Sequence, residues 1–150
     1  MKYILFSLDC ELAWGFADLD PPIPRVETMR SDPTNVRSAY RTILGLFDEY
    51  DIPATFAFVG HLFLDECTAD THPINDLTTP SDPMSSIGDD PLYYGSDLVK
   101  LVADATVDHE IGGHAFSHPV FDEIDSETAS AELQALISAA DEHGVTISSF

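Results

Sequence analysis

The chain has little positive charge and no long apolar run. Its 150 residues include only 6 lysines and arginines against 27 aspartates and glutamates, which gives a formal net charge of -21. Such a surface repels the phosphates of nucleic acids and of anionic membranes, so we expect neither as a partner. No stretch approaches the roughly 18 to 20 consecutive apolar residues of a transmembrane helix, and membrane insertion is therefore not expected.

Cysteine is also scarce, and Cys10 and Cys67 are too few for a disulfide framework. The apolar start of the chain, residues 1–8, runs directly into Asp9 and is too short for a signal peptide. In a chain without an export signal, both cysteines are expected to be free thiols. We therefore expect a cytoplasmic protein.

The abundant acidic residues are dispersed along the whole chain among apolar residues, which is unlike the blocks of charge in disordered acidic tails. Aspartate outnumbers glutamate 18 to 9. This pattern resembles the proteins of salt-loving organisms, whose hydrated carboxylates keep them soluble while salt screens their repulsion. An ordinary acidic protein is the alternative.

Strand and helix patterns alternate along the chain, which is typical of α/β proteins with a parallel sheet or barrel. A single domain over residues 1–150 is predicted, incomplete at its C-terminal end because the chain stops within a fourth strand. Residues 68–91, rich in Asp, Pro, Ser, Thr and Gly, are predicted to be an irregular loop insertion. The predicted strands cover residues 3–8, 54–60, 109–113 and 145–150. The first predicted helix starts within residues 32–35 and is stopped by residues 51–53, and two shorter ones cover 61–66 and about 95–105. The last is capped by residues 125–127 and closed by residues 143–144, with Leu133, Leu136, Ile137 and Ala140 on its apolar side.

Two histidines, His114 and His118, follow the third predicted strand at a spacing of four residues. Side chains at this spacing lie on one face of a helical turn, so both imidazoles could bind one divalent cation. Six histidines in a chain of this length produce such a pair by chance in roughly one case in five. A pair of surface or capping imidazoles is therefore the alternative.

A second group of polar residues, Asp9, Cys10 and Glu11, stands at the end of the first predicted strand. Strand alternation puts Asp9 and Glu11 on one side and Cys10 on the other. In parallel α/β folds the carboxyl ends of the strands share one edge, where this group would meet the histidines. One carboxylate and two histidines leave coordination positions open, as in catalytic zinc sites, and the other carboxylate could take a proton from water. Alternatively, Asp9 caps a turn and Glu11 is a surface acid.

Three segments together resemble the polysaccharide deacetylases of carbohydrate esterase family four. Residues 7–11 (SLDCE) resemble the first motif of that family, residues 54–60 (ATFAFVG) its second strand, and residues 110–119 (EIGGHAFSHP) its metal-binding motif. The last is the most specific. The resemblance implies that the chain is the N-terminal part of an irregular (β/α)7 barrel.

It also implies a metal-dependent hydrolase that removes N-acetyl groups from a polysaccharide or sugar conjugate. His114 and His118 would bind the metal, most simply Zn²⁺, and Asp9 would act as general base. The first motif usually has two adjacent aspartates, but here Cys10 takes the second position. Some members of the family space the two acids by one residue, and by that resemblance Glu11, on the Asp9 face, is the preferred third ligand. Cys10 is the rival, because a thiolate also binds zinc well.

The resemblance ends before the later motifs of the family, which would follow Phe150. The remaining histidines match none of those motifs and are expected to be surface or packing residues: His61, His72, His109 and His143. A related deformylase or cyclic-amide hydrolase, and an inactive truncated carbohydrate-binding domain, stay open as alternatives. An open part of a barrel would expose a β-edge and an apolar face that something must cover, and a homo-oligomer is one way to cover them.

Overall fold

Three parallel strands form the sheet in the part of the chain that the computed structural model describes, namely residues 3–16, 29, 31–68, 71–72 and 82–150. The strands are β1 (Ser7–Cys10), β2 (Thr55–Phe58) and β3 (Glu110–Gly113), in the order β1-β2-β3. β2 is central and lies between two layers of apolar side chains, which explains its nearly continuous apolar sequence. The α/β prediction is confirmed.

Helices alternate with these strands in the described residues: α1 (Pro33–Tyr50), α2 (Ser96–Ala103) and α3 (Ser126–Glu142). Short 3-10 helices cover Trp14–Phe16 and Gly60–Phe63. The predicted start of α3 is confirmed, because the Asp125 side chain accepts a hydrogen bond from the Thr128 N–H at 2.8 Å. Among the described residues, no helix is long and apolar enough to cross a bilayer.

The first strand begins later than predicted, because residues 3–6 do not pair as a strand. Tyr3, Ile4 and Leu5 are largely exposed. The register pairs Ser7 with Thr55, so its extension would place Leu5 opposite Pro53, which has no N–H to donate. The prediction of a strand over residues 3–8 is therefore wrong for residues 3–6, and its prediction of burial is wrong as well, because Ser7 is exposed and Leu8 is only half-buried.

The fourth predicted strand is not formed either. Residues 145–150 lie beside β3, but the backbone bond recorded there runs from the Gly113 N–H to the Ser149 carbonyl at 2.9 Å. A single backbone hydrogen bond is too few to form a β-ladder with β3. The loop prediction for residues 68–91 falls largely outside the described residues, and its described part contains one antiparallel bridge, between Glu66 and Ser86.

Helix α3 is rotated relative to the face that its apolar residues predict. Leu133 and Ile137 are exposed, whereas the side chain of Glu132 is completely buried. The inward face combines this one acid with small and apolar residues: Ala135, Leu136, Ala139 and Ala140. The helix turns this way because Glu132 binds backbone donors inside the protein, as described below.

Candidate metal centre

The carboxyl ends of β1 and β3 deliver the predicted site residues to one edge of the sheet. Backbone hydrogen bonds continue past the strands on both sides of β2. The Val59 N–H donates to the Cys10 carbonyl at 3.1 Å, and the His114 N–H donates to the Phe58 carbonyl at 2.9 Å. Glu11 follows the first of these bonds directly, and His114 takes part in the second. The sheet register therefore fixes the positions of Glu11 and His114 relative to each other.

Three predicted ligands, Glu11, His114 and His118, converge at this edge. Glu11 Oε1 lies 3.1 Å from His114 Nε2 and 3.6 Å from His118 Nε2, and all three donor atoms lie within 4.8 Å of one another. Ligands about 2.0 to 2.2 Å from a tetrahedral metal are separated by roughly 3.4 Å, so this spacing suits one divalent ion. The three side chains are partly exposed, which leaves room for water and substrate.

The two histidines converge through a loop, so the prediction of a helical turn is wrong. Ala115 and His118 both have a φ of 60°, in the left-handed region, and residues 114–118 have no helical hydrogen bonds. The imidazole centroids are 5.0 Å apart. We call residues 114–118 the histidine loop; its two left-handed residues bring the imidazoles together.

The histidine loop is held from the side of β2 by backbone hydrogen bonds. The Gly60 N–H donates to the Ala115 carbonyl at 2.7 Å, and the His61 N–H donates to the Phe116 carbonyl at 2.9 Å. This approach requires glycine at position 60, since a Cβ there would lie 3.0 Å from Phe116 Cα and 3.1 Å from Leu136 Cα. From the other side, the loop is bound by the buried carboxylate of Glu132.

The side chain of Glu11 occupies space that exists only because residue 15 is glycine. A Cβ on Gly15 would lie 1.6 Å from Glu11 Oε2 and 2.7 Å from its Cδ. Gly15 belongs to the short 3-10 helix that follows β1, so the backbone at residue 15 folds back over the Glu11 side chain. The glycine thus determines where the Glu11 carboxylate can lie.

Cys10 and Asp9 lie on opposite sides of β1, as strand alternation predicts. Cys10 is buried in the core, its thiol donates to the Leu8 carbonyl at 3.6 Å, and burial raises its pKa to about 12. A protonated thiol inside the core is poorly placed to compete with Glu11. Asp9 is exposed, is paired with Ala57 in the sheet, and lies outside the group of three donor atoms.

The other histidines divide into two kinds. His109 accepts a hydrogen bond from the Ala54 N–H at 3.2 Å and is a packing residue, and His143 is an exposed surface residue whose ring touches Phe63, so both are of the expected kinds. His61 and His72 are instead buried side by side with a cysteine and an aspartate. Sequence reasoning missed this second cluster, because its members follow no regular spacing along a single helix or strand.

Most of the chain matches a known protein family. A profile of the polysaccharide deacetylase family matches residues 28–145, which is most of the chain and includes both His114 and His118. The chain belongs to the polysaccharide deacetylase family. The matched range begins after Asp9 and Glu11, so the assignment of these two acids in this deacetylase-family chain depends on the geometry described above.

Solved structures support the same fold. A crystal structure from Mycobacterium smegmatis that carries the provisional name polysaccharide deacetylase superposes with a TM-score of 0.51 at 20% sequence identity. The superposition covers 95% of this chain and 40% of that one, so the present chain spans about two fifths of its relative. No curated protein matches the chain.

Proposed function

We propose that the protein is a metal-dependent hydrolase that removes N-acetyl groups from a polysaccharide or sugar conjugate. Glu11, His114 and His118 hold the metal, and Asp9 is the general base. The observation that carries the proposal is the convergence of one carboxylate and two imidazoles, from two different strands, at one edge of the sheet. Membership of the polysaccharide deacetylase family supports the type of reaction.

A divalent ion bound by these residues would supply Lewis acidity toward an amide carbonyl and toward water. The donor set of one carboxylate and two histidines leaves positions open for both, and its partial exposure gives a substrate access. Zinc suits these ligands best, although cobalt, nickel and iron accept similar ones.

Asp9 is suited to the role of base because its exposed side chain takes no part in the packing of the core. Its side chain is exposed at the edge strand, on the same side of β1 as Glu11 in the alternation of the strand. A carboxylate there can accept the proton of the attacking water while His114 and His118 remain committed as ligands. Amide cleavage then releases acetate and leaves a free amine on the sugar.

The acidic surface supports a further proposal about the salt concentration in which the protein works. Exposed aspartates or glutamates occur on β1, on β3 and on helices α1, α2 and α3, and the whole chain carries a net charge of -21. We infer that the protein works in the cytoplasm of a cell with high internal salt, where its self-repulsion is screened.

The test measures acetate release and metal content together. Metal-free protein is reloaded with zinc and assayed with N-acetylglucosamine oligomers, and His114→Ala is compared with His143→Ala, which alters an exposed histidine outside both clusters. We expect zinc-dependent acetate release in the wild type and in His143→Ala, and loss of one bound zinc and of activity in His114→Ala. Unchanged metal content in His114→Ala would disprove the site, and release of formate instead of acetate would disprove the substrate class.

A further inference from the structure

We propose that the chain carries a second, structural metal site, formed by His61, Cys67, His72 and Asp82. Their ligand atoms, one sulfur, two nitrogens and one oxygen, lie within 4.8 Å of one another. We call these four residues the buried cluster. The site is separate from Glu11, His114 and His118, and it does not depend on the proposed activity.

The distances within the buried cluster are those of groups gathered around one point. Asp82 Oδ2 lies 2.8 Å from His72 Nε2 and 3.4 Å from His61 Nε2, while Cys67 Sγ lies 3.0 Å from His72 Nε2 and 3.7 Å from Asp82 Oδ2. A tetrahedral zinc with sulfur at about 2.3 Å and nitrogen or oxygen at about 2.0 to 2.2 Å requires ligand separations of roughly 3.3 to 3.7 Å. Small adjustments of the side chains therefore suffice.

A hydrogen bond from one ring nitrogen of His61 leaves the other, Nε2, available to bind a metal. Its Nδ1 lies 3.1 Å from the Tyr93 carbonyl, so Nδ1 carries the proton and donates to that oxygen. The lone pair of Nε2 then points toward the Asp82 carboxylate and has no hydrogen-bond partner in the described structure. A lone pair facing a carboxylate is repulsive, and a cation between the two removes the repulsion. Backbone carbonyls fix zinc-binding histidines in this way.

A backbone hydrogen bond also orients Asp82. Its Oδ1 accepts a hydrogen bond from the Met84 N–H at 2.9 Å, which leaves Oδ2 directed at the three other ligands. A carboxylate oriented in this way supplies an anionic oxygen to a cation at the centre of the buried cluster.

Burial distinguishes this site from the first one. The side chains of His61, His72 and Asp82 are completely buried, and Cys67 is 2% exposed. Rings of Trp14, Tyr94 and Phe116 pack against His61. Four protein ligands without solvent access make a closed set, which is the pattern of structural and not of catalytic zinc.

The position of the buried cluster suggests what its metal stabilises. His61 donates its backbone N–H to the Phe116 carbonyl, and the Phe116 ring packs on His72 at 5.6 Å. Phe116 lies between His114 and His118 in the histidine loop. A metal in the buried cluster would therefore tie residues 61, 67, 72 and 82 together directly behind the loop that carries the first site.

The experiment counts zinc and identifies its ligands in the full chain. Stripped protein reloaded with zinc is expected to bind two equivalents, and His114→Ala is expected to keep one. Zinc-edge X-ray absorption is expected to show a sulfur neighbour at about 2.3 Å in the wild type, with a larger share of sulfur in His114→Ala. Since these measurements need no change in the buried cluster, they are decisive even if variants of its ligands fail to fold.

Matched cysteine variants complete the test. Cys67→Ser is expected to lose the sulfur signal and one zinc, whereas Cys10→Ser, which alters the other buried thiol, is expected to keep both. The proposal is overturned by a single zinc equivalent that His114→Ala removes, by a spectrum with only nitrogen and oxygen neighbours, or by a sulfur signal that Cys10→Ser abolishes. If the protein releases acetate but shows neither a second zinc equivalent nor a sulfur neighbour, the proposed deacetylase activity is supported and only the buried site is disproved.

Discussion

The carboxylate of Glu132 binds Ser117 through both its backbone and its side chain. Glu132 Oε2 accepts the Ser117 N–H at 2.8 Å, and Oε1 accepts the Ser117 hydroxyl at 2.5 Å. Oε2 also accepts the Phe116 N–H at 2.7 Å. A buried carboxylate is costly unless donors surround it, and these three donors compensate for its burial. Glu132 is therefore a positioning residue that fixes the histidine loop from helix α3.

Replacing Glu132 should reduce both stability and metal affinity. Glu132→Ala leaves three buried donors without an acceptor, and we expect a loss of at least about 3 kcal/mol in the free energy of unfolding. Glu132→Gln keeps an acceptor oxygen for the backbone groups, and its amide can donate to the Ser117 hydroxyl, so the expected loss is about 1 to 2 kcal/mol. Urea denaturation measures both.

A matched control lies on the same helix. Glu142→Gln changes an exposed acid at the end of α3 and should leave stability and zinc binding at His114 and His118 almost unchanged. In Glu132→Gln, zinc affinity at the first site should fall by about 10- to 100-fold, as is typical when groups that orient ligands are altered. Equal zinc affinity in Glu132→Gln and Glu142→Gln would show that Glu132 supports the fold without positioning the site.

Gly15→Ala should disturb the first metal site while leaving the fold intact. The added Cβ collides with the flexible end of Glu11, so the carboxylate moves and the backbone does not have to. We expect zinc affinity to fall by about 10- to 100-fold with little change in stability. Gly45→Ala is the control, because a Cβ there meets nothing within 4 Å, and alanine in an exposed helix adds about 0.5 to 1 kcal/mol of stability. If Gly15→Ala binds zinc normally, Glu11 is not a ligand.

Asp9→Asn should separate catalysis from metal binding. Asparagine keeps the size of the side chain but cannot accept a proton from water at neutral pH, so kcat for acetate release should fall by about 10²- to 10⁴-fold. Zinc content should stay at the wild-type value, because Asp9 lies outside the group of ligand atoms. Loss of zinc in this variant would make Asp9 a ligand, and full activity would remove it from the mechanism.

Much of the architecture could be predicted because local patterns and tertiary packing agree. β2 is apolar after Thr55 because residues 56–58 are buried on both faces, and α1 carries its apolar residues at helical spacing. The predicted apolar face of α3 is right for Leu136 and Ala140. It is wrong for Leu133 and Ile137, because the buried acid on this helix outweighs them once Phe116 and Ser117 offer it donors. Such a bond joins residues about 15 positions apart and leaves no periodic signal in the sequence.

The candidate sites, like the fold, were predictable only where they follow from local sequence patterns. Glu11, His114 and His118 could be gathered from the sequence because parallel strands bring their carboxyl ends to one edge. The left-handed backbone at Ala115 and His118, which turns the loop, could not be foreseen, since alanine seldom adopts positive φ and histidine, although enriched there, does so in only a small fraction of cases. The buried cluster was missed because its four members lie on irregular segments whose positions depend on tertiary contacts.

Stability should rise with salt if the acidic surface is adapted to it. At a net charge of -21, repulsion between carboxylates opposes the compact state, and the Debye length shortens from about 10 Å at 0.1 M to about 3 Å at 1 M. We therefore expect the melting temperature to increase between 0.1 and 1 M KCl, and equally in NaCl, since screening depends on ionic strength and not on the cation. Sucrose, which does not screen charge, controls for general exclusion from the surface. A melting temperature that is flat or falls over this range would mean that repulsion is not what limits the fold, and the acidic composition would then need another explanation.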